Sequence, residues 1–307
     1  MNSFETFIDS IHLYWQYPVI TEKTFYQQNK HHNNFIGIPW ATILDKVKLK
    51  TKILSLIKSL CKDNIEYFTC CQHIHFRKLI PFFKMIHIKT LYTPHKVIGE
   101  DNIDGIQIIA CPLYAVNIED PTRNMQFKNV DFLQSSRTYL YSFMGGYNPS
   151  CYLSNIRKRL FDIPAKNDCI IKNSGMWHFE KSVYSNLQNY KQDTDNSNIH
   201  KTNTTLYNTL LLDSRYSLCP SGSGPNSIRL WESLACGSIP IILADTLELP
   251  SHELWDKAII RIKEKDVDTL DNIIRSISYE KEVEMRKCCL QLYKYFKNNY
   301  RNEKRIM

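Results

Sequence analysis

The chain has 307 residues, enough for two domains of ordinary size, each with its own core. A hydrophobic fraction of 43%, with 18 Tyr and 14 Phe, excludes a disordered polymer, and no run reaches the ~18 apolar residues that a membrane-spanning helix requires. The excess of 39 basic over 31 acidic residues, a net +8, suits phosphate-bearing ligands, an anionic membrane surface or nucleic acid, and equally a plain solvated basic surface.

Ten cysteines include the adjacent pairs Cys70-Cys71 and Cys288-Cys289, and others such as Cys169 and Cys219 lie inside apolar runs. With no CxxC spacing, this distribution points to reduced, core-packing thiols rather than a disulfide framework or a zinc site. The N-terminus has no basic start followed by an apolar block, so a soluble cytoplasmic protein is expected, at most peripheral to a membrane. Richness in Asn, Lys and Ile suggests a bacterial or viral origin.

In chain order, Val47 to Lys62 carries apolar residues at helical spacing with lysines on the other face, and it runs into a strand-like IEYFTCC. An amphipathic FRKLIPFFKMIH, a strand at IKTLYTP and another at GIQIIACPLYAV follow. Such alternation predicts a small parallel sheet with flanking helices. Periodicity is lost from Asn117 to Ser136, which places a domain junction near residue 130. Alternation then resumes: a strand at RTYLYSFMG, a helix at SNIRKRLF, strands at DCIIKNS, YSLCP and IPIILA, and helices at LYNTLLLDS and SIRLWESLAC. The expected organisation is α/β of two Rossmann-like domains facing each other across a cleft, over residues 1–130 and 131–279, with a charge-rich helical tail over 280–307. The polar stretch from Ser185 to Asn208 reads as a surface excursion with little core.

The most informative segment runs from Tyr216 to Asp245. An apolar strand ends at Pro220, a turn of small residues follows (Ser221, Gly222, Ser223, Gly224), and Asn226 or Ser227 can cap a helix that stops at Gly237. Backbone N–H groups at such a helix start carry partial positive charge, and a glycine turn lets a phosphate approach them. Ile228, Trp231, Leu234 and Ala235 share the face expected on the sheet, which leaves Arg229 and Glu232 together on the other. An arginine there suits a diphosphate and a carboxylate suits ribose hydroxyls; spacing alone is equally consistent with an exposed i,i+3 ion pair.

These motifs resemble the exostosin family of glycosyltransferases: Arg215-Tyr-Ser-Leu-Cys-Pro, Gly222, Ser227-x-Arg229-x-x-Glu232 and Gly237-x-Ile-Pro-Ile-Ile-Leu-x-Asp245. Phe143-Met-Gly-Gly with Ile156-Arg157-x-x-Leu160 upstream, Tyr207, and Glu248-Leu-Pro with Trp255 downstream extend the resemblance from about Arg137 to Ser278. The resemblance implies a GT-B architecture, a nucleotide-sugar donor held mainly by the C-terminal domain, and inversion at the anomeric carbon with no essential metal or other cofactor. On the matching positions it implies Arg157 and Arg215 near the phosphates, Ser227 and Arg229 lining the donor pocket beside the Ser221-Gly222 turn, and Glu232 on the ribose. Many animal members carry a Golgi membrane anchor and a second catalytic domain; neither is seen in this sequence, so heparan-type polymerisation is not expected.

Inverting transfer needs a base for the acceptor hydroxyl. Loops after the strands of the first domain supply His73, the preferred candidate, with His95, Glu119 and Asp120 as alternatives; a histidine in such a place is more often structural. Asp193-Thr194-Asp195 spells a metal-binding DxD but lies in the polar excursion, and Ser221–Gly224 lacks the Gly-Lys-Ser/Thr of a Walker loop. The basic run Arg157-Lys158-Arg159 lacks interleaved aromatics, so no nucleic-acid partner is expected. The expected activity is transfer of a sugar, UDP-linked, to a hydroxyl of a glycan or glycoconjugate, with a peripheral membrane contact compatible with the charge. The competing expectation is a catalytically silent nucleotide- or glycan-binding module of the same fold.

Overall fold

A computed structural model describes residues 3–11, 13–47, 50–114, 116–175 and 198–299. The described chain forms two compact units, one running up to Leu113 and including Thr246–Ser251, the other comprising Tyr114–Asp245 and His252–Asn299. The division therefore falls N-terminal of the junction expected near residue 130. The segment from Asn117 onwards lacks helical periodicity because its anchors are polar: Asn117, Arg123 and Asn208 form a buried hydrogen-bonded group within the second unit.

The first unit is built on a five-stranded sheet ordered β1-β2-β3-β5-β4, with β1 (Phe35–Ile36), β2 (Tyr67–Cys70), β3 (Ile88–Thr93), β4 (Asn102–Ile103) and β5 (Ile106–Ala110). All its pairings are parallel except the β4–β5 hairpin. The strands are short β-branched and aromatic runs, and β2 is buried at every position, as a sheet covered on both faces requires. Trp40, Phe76, Phe83 and Leu91 are fully buried in its core, where the Trp40 indole donates to Thr69 Oγ1 at 2.7 Å. The helix expected from Val47 to Lys62 spans Lys50–Leu60; it buries Ile57 and exposes Lys52 and Lys58. Thr246–Ser251 joins this unit through Lys96, whose ammonium reaches Glu248 and Asp101, both at 2.6 Å.

Glu22 ties three pieces of the first unit together. Its carboxylate accepts the Ala41 N–H at 3.1 Å, at the start of the Trp40–Lys46 helix, and the Gln72 N–H at 3.0 Å, just past β2. Its own N–H donates to Gln72 Oε1 at 2.9 Å. The side chain is buried, and that desolvation pushes its pKa up from 4.5 to about 8, against the lowering effect of the backbone N–H groups.

The second unit carries five parallel strands, β6 (Tyr139–Gly145), β7 (Cys169–Asn173), β8 (Ser214–Pro220), β9 (Ile239–Leu243) and β10 (Ile260–Arg261), in the order β10-β9-β8-β6-β7. The chain starts in the interior at β6, moves to one edge at β7 and returns past its start to β8. Strand order thus reverses between β6 and β8, the place where open parallel sheets bind ligands beyond their carboxyl ends. Two parallel-dominated α/β sheets, one in each unit, are the sheets of a GT-B fold.

The expected tail is an integral part of the second unit. The helix Tyr279–Asn298 buries Met285, Cys288, Cys289, Leu292 and Phe296 at i,i+3/i+4 spacing. Phe296 stacks on Trp255 at 5.6 Å and meets Trp231 edge-on at 5.6 Å. Likewise, the polar excursion is partly helical: Asn198–Asp213 forms a helix that buries Thr204 and Asn208. All ten cysteines are free thiols.

The raised Glu22 pKa gives a stability prediction with a definite sign. Between about 4.5 and about 8 the folded chain holds a proton that the unfolded chain has released, so this contribution is complete at low pH and lost as pH rises to about 8. The urea midpoint should fall between pH 5 and pH 8.5, and Glu22→Gln should flatten that fall; an equal fall in the variant would count against the assignment.

Candidate donor site

The site is assembled where β6 and β8 end. After β8 the chain turns through Ser221 and Gly222, and Ser227 caps the helix Ile228–Cys236 by accepting the Arg229 N–H at 3.3 Å. Asn226 steadies the turn, with its Oδ1 accepting the Ser227 N–H at 2.9 Å and the Trp231 indole N–H at 3.2 Å. The helix stops at Gly237, which takes φ +69°, and a Cβ there would lie 2.9 Å from Arg286 Cγ. Cap, helix and stop all lie where the sequence placed them.

Two guanidinium groups converge on this end of the sheet. Arg157, on the helix Ile156–Phe161 that follows β6, donates from Nε to the Ser221 carbonyl at 2.8 Å and from Nη1 to the Gly146 carbonyl at 3.0 Å. It lies 4.6 Å from the Tyr152 ring centroid. Arg229 donates to the Met144 carbonyl and sits between the rings of Phe143 and Tyr207, at 4.5 Å and 5.3 Å. Among the described residues neither arginine is paired with a carboxylate, although Arg229 is buried and Arg157 partly so. Burial pushes the Arg157 pKa down to about 10, and the neighbouring Arg229 charge adds to the effect. A Cβ on Gly222 would stand 3.0 Å from Arg157 Nη2, so the absence of a side chain there lets the guanidinium lie against the turn.

Other expected members are placed differently. Arg229 and Glu232 do not project into solvent: Glu232 is 2% exposed, because the Asn117 segment and Tyr207, from the helix Asn198–Asp213, cover this face. The Glu232 carboxylate accepts the Asn117 N–H at 3.2 Å and a bond from Tyr207, and burial raises its pKa. In this structure it bonds Tyr207, whose ring packs on Arg229, and the exposed ion pair is ruled out. Arg215 is not with the others. It lies at the opposite end of β8 from Ser221, bonded through Nε to Glu282 at 2.6 Å, and Glu282 is also held by Arg286 at 2.7 Å.

His73 is in the first unit, past β2. Its Nδ1 accepts the His75 N–H at 3.0 Å and its Nε2 lies 2.9 Å from Asp45 Oδ1, so neither ring nitrogen is left open to take an acceptor proton. In this arrangement both ring nitrogens of His73 are engaged within the unit. His95 is buried, with a pKa pushed down to about 3 by desolvation and the nearby His73 and Arg77, which leaves it a weak proton acceptor. Glu119 belongs to the second unit and bonds Tyr293 at 2.7 Å and Lys297 at 2.8 Å, while Asp120 closes a local turn with Thr122. Asp193-Thr194-Asp195 lies outside the described residues. Sequence reading missed Glu264, whose carboxylate accepts the Ser221 hydroxyl at 2.9 Å; a polar residue in an unremarkable EKDV run gives no local signal.

A parallel sheet with a capped helix at its switch point, and two arginines there bonded to no carboxylate among the described residues, is the arrangement of the nucleotide-binding α/β class. An Exostosin GT47 domain matches residues 82–277, and the chain belongs to this family of glycosyltransferases. It is 24% identical over 198 residues to an exostosin-1 homolog of Caenorhabditis elegans, covering 64% of this chain and 50% of that protein. A probable glucuronosyltransferase of Physcomitrium patens is 39% identical over 74 residues, 24% of this chain and 16% of its own length. A probable beta-1,4-xylosyltransferase of Arabidopsis thaliana is 42% identical over 67 residues, 21% of this chain and 16% of its own length. The chain thus spans at most about half the length of these relatives. Among the described residues no helix is long and apolar enough to cross a membrane.

The position of Arg215 separates structure from binding. Arg215→Ala should cost about 1–3 kcal/mol of stability by exposing the buried Glu282 to a single remaining partner. Nucleotide affinity, measured by calorimetry on the folded variant, should stay at its original value; a tenfold loss would return Arg215 to the donor site.

Proposed function

We propose that this chain transfers a sugar from a UDP-linked donor to a hydroxyl of a glycan or glycoconjugate, with inversion and without an essential metal. The observation that carries this reading is the pair Arg157 and Arg229, two cations without a carboxylate partner among the described residues, at the sheet's switch point beside a capped helix start. Protein groups satisfy them with neutral carbonyls and ring faces, so their positive charge remains available to a ligand.

The departing nucleoside diphosphate gains negative charge as the glycosidic bond breaks. Arg157 and Arg229, with the helix dipole at Ser227, would stabilise that charge, and as fixed groups they need no reorganisation during the step. This is the neutralising work that a divalent ion performs in metal-dependent transferases. The names of the plant relatives put glucuronic acid and xylose at the head of the donor panel.

Incubation with a panel of UDP-sugars, UDP-glucuronic acid and UDP-xylose first, should release UDP in the presence of a glycan acceptor and slowly without one. Arg157→Ala should lower UDP affinity at least about tenfold, with Arg157→Lys recovering part of the loss. Unchanged affinity in a folded Arg157→Ala chain would remove the main support for this reading, and donor binding with no turnover on any acceptor would favour the silent binding module.

A further inference from the structure

From Lys46 to Lys62 the chain carries six lysines and no carboxylate. Most of this stretch is the helix Lys50–Leu60 in the first unit. The apolar side of that helix is used inward: Ile57 is fully buried, and Ile53, Leu54 and Leu60 pack on the core that holds Phe4 and Ile8. The lysines are left outside. Lys50, Lys52, Lys58 and Lys62 are exposed; Lys50 donates to the Leu44 carbonyl, and among the described residues the ammonium groups of Lys52, Lys58 and Lys62 have no hydrogen bond or ion pair. The flanking acids have other partners, since Asp45 bonds His73 and Gln16, and Asp63 lies 3.5 Å from His87.

Lys52, Ser55, Leu56 and Ser59 stand at i, i+3, i+4 and i+7, so they form one outer face, and Lys58 borders it beside Ser55. The short hydroxyl residues let the long lysines stand above the surface, and Leu56, 41% exposed, is an apolar side chain among them. Unpaired ammonium groups on a rigid face attract fixed negative charge, and four to eight of them on a helix are the pattern that holds proteins to anionic phospholipid. Between Lys46 and Lys62 there is no arginine and no aromatic ring, the residues that fork onto phosphates and stack on bases. A bilayer takes an exposed leucine at the boundary between headgroups and acyl chains.

We propose that this lysine face docks the first unit on an anionic phospholipid surface, with Lys52 and Lys58 against the headgroups and Leu56 at their boundary. The contact is peripheral and salt-sensitive, and it does not depend on the donor reading.

The test is co-sedimentation of the full chain with vesicles of phosphatidylcholine, alone or mixed with phosphatidylserine. The unaltered chain should pellet with the anionic vesicles and not with the neutral ones, and this binding should fall steeply as salt is raised from about 0.1 M to about 1 M. Each lysine near such a surface is worth about fivefold in binding, so Lys52→Gln with Lys58→Gln should weaken it about 25-fold, and Lys52→Glu with Lys58→Glu more. Thermal midpoints of these variants should match that of the unaltered chain, because neither ammonium has a partner to lose among the described residues. Lys257→Glu with Lys287→Glu, two exposed lysines of the second unit, shifts the net charge equally and should leave vesicle binding nearly unchanged. No binding to anionic vesicles, equal binding to neutral ones, unchanged binding in the Gln pair, or an equal loss in the second-unit pair overturns the proposal. Displacement of the vesicles by a short duplex DNA, bound more tightly at the same salt through Lys52 and Lys58, would make the face a nucleic-acid surface and overturn it as well.

Discussion

A guanidinium taken out of water must be met by acceptors, and the way Arg157 and Arg229 are met determines the layout of this end of the second unit. Their acceptors are the carbonyls of Met144, Gly146 and Ser221, all at or just past the ends of β6 and β8. Carbonyls are free there because a parallel ladder ends there. The rings of Phe143, Tyr152 and Tyr207 complete the surroundings with cation–π contact, and among the described residues no carboxylate is bonded to either guanidinium. Had carboxylates filled the same places, the cations would be as well satisfied and their charge would be cancelled within the protein.

Much of this was legible in the sequence, because its signals are local. The apolar strand, the small-residue turn, the Ser227 cap and the Gly237 stop lie within one supersecondary unit, and each has a residue-level cause that tertiary packing did not override. The exposure of Arg229 and Glu232 was not legible. Their helix reads as amphipathic, but the face that carries them is covered by Tyr207, from the helix Asn198–Asp213, and by the Asn117 segment, which has no periodicity to read. Arg215 misled for a different reason. In the motif it stands next to the site, yet β8 runs between it and Ser221, and at about 3.3 Å per residue a strand of that length separates its ends by about 20 Å.

The first unit was harder to interpret. Its histidines follow strands, as catalytic residues in such folds do, but what a histidine does depends on the groups opposite its two nitrogens. For His73 these are the His75 N–H and Asp45, one from its own loop and one from distant sequence. Glu22 is a similar case: nothing in TEKTFYQQN distinguishes it from a solvated helix residue, and only its placement against the Trp40–Lys46 helix and β2 makes it a buried anchor. The family match begins at residue 82, beyond Glu22, Asp45 and His73, so these residues had to be read without that guide.

Ser221 joins two side chains of unlike charge, Arg157 through its carbonyl and Glu264 through its hydroxyl. A glycine-rich turn before a helix attracts anions by its backbone alone, and the backbone does not say which end of an elongated ligand goes where. Arg157 is fixed by carbonyls from two strand ends, and Glu264 by Asp245 and Arg159. Because Arg157 and Arg159 lie on one short helix, and Arg159 bonds the Glu264 carbonyl, a shift of that helix would move Arg157 and Glu264 together.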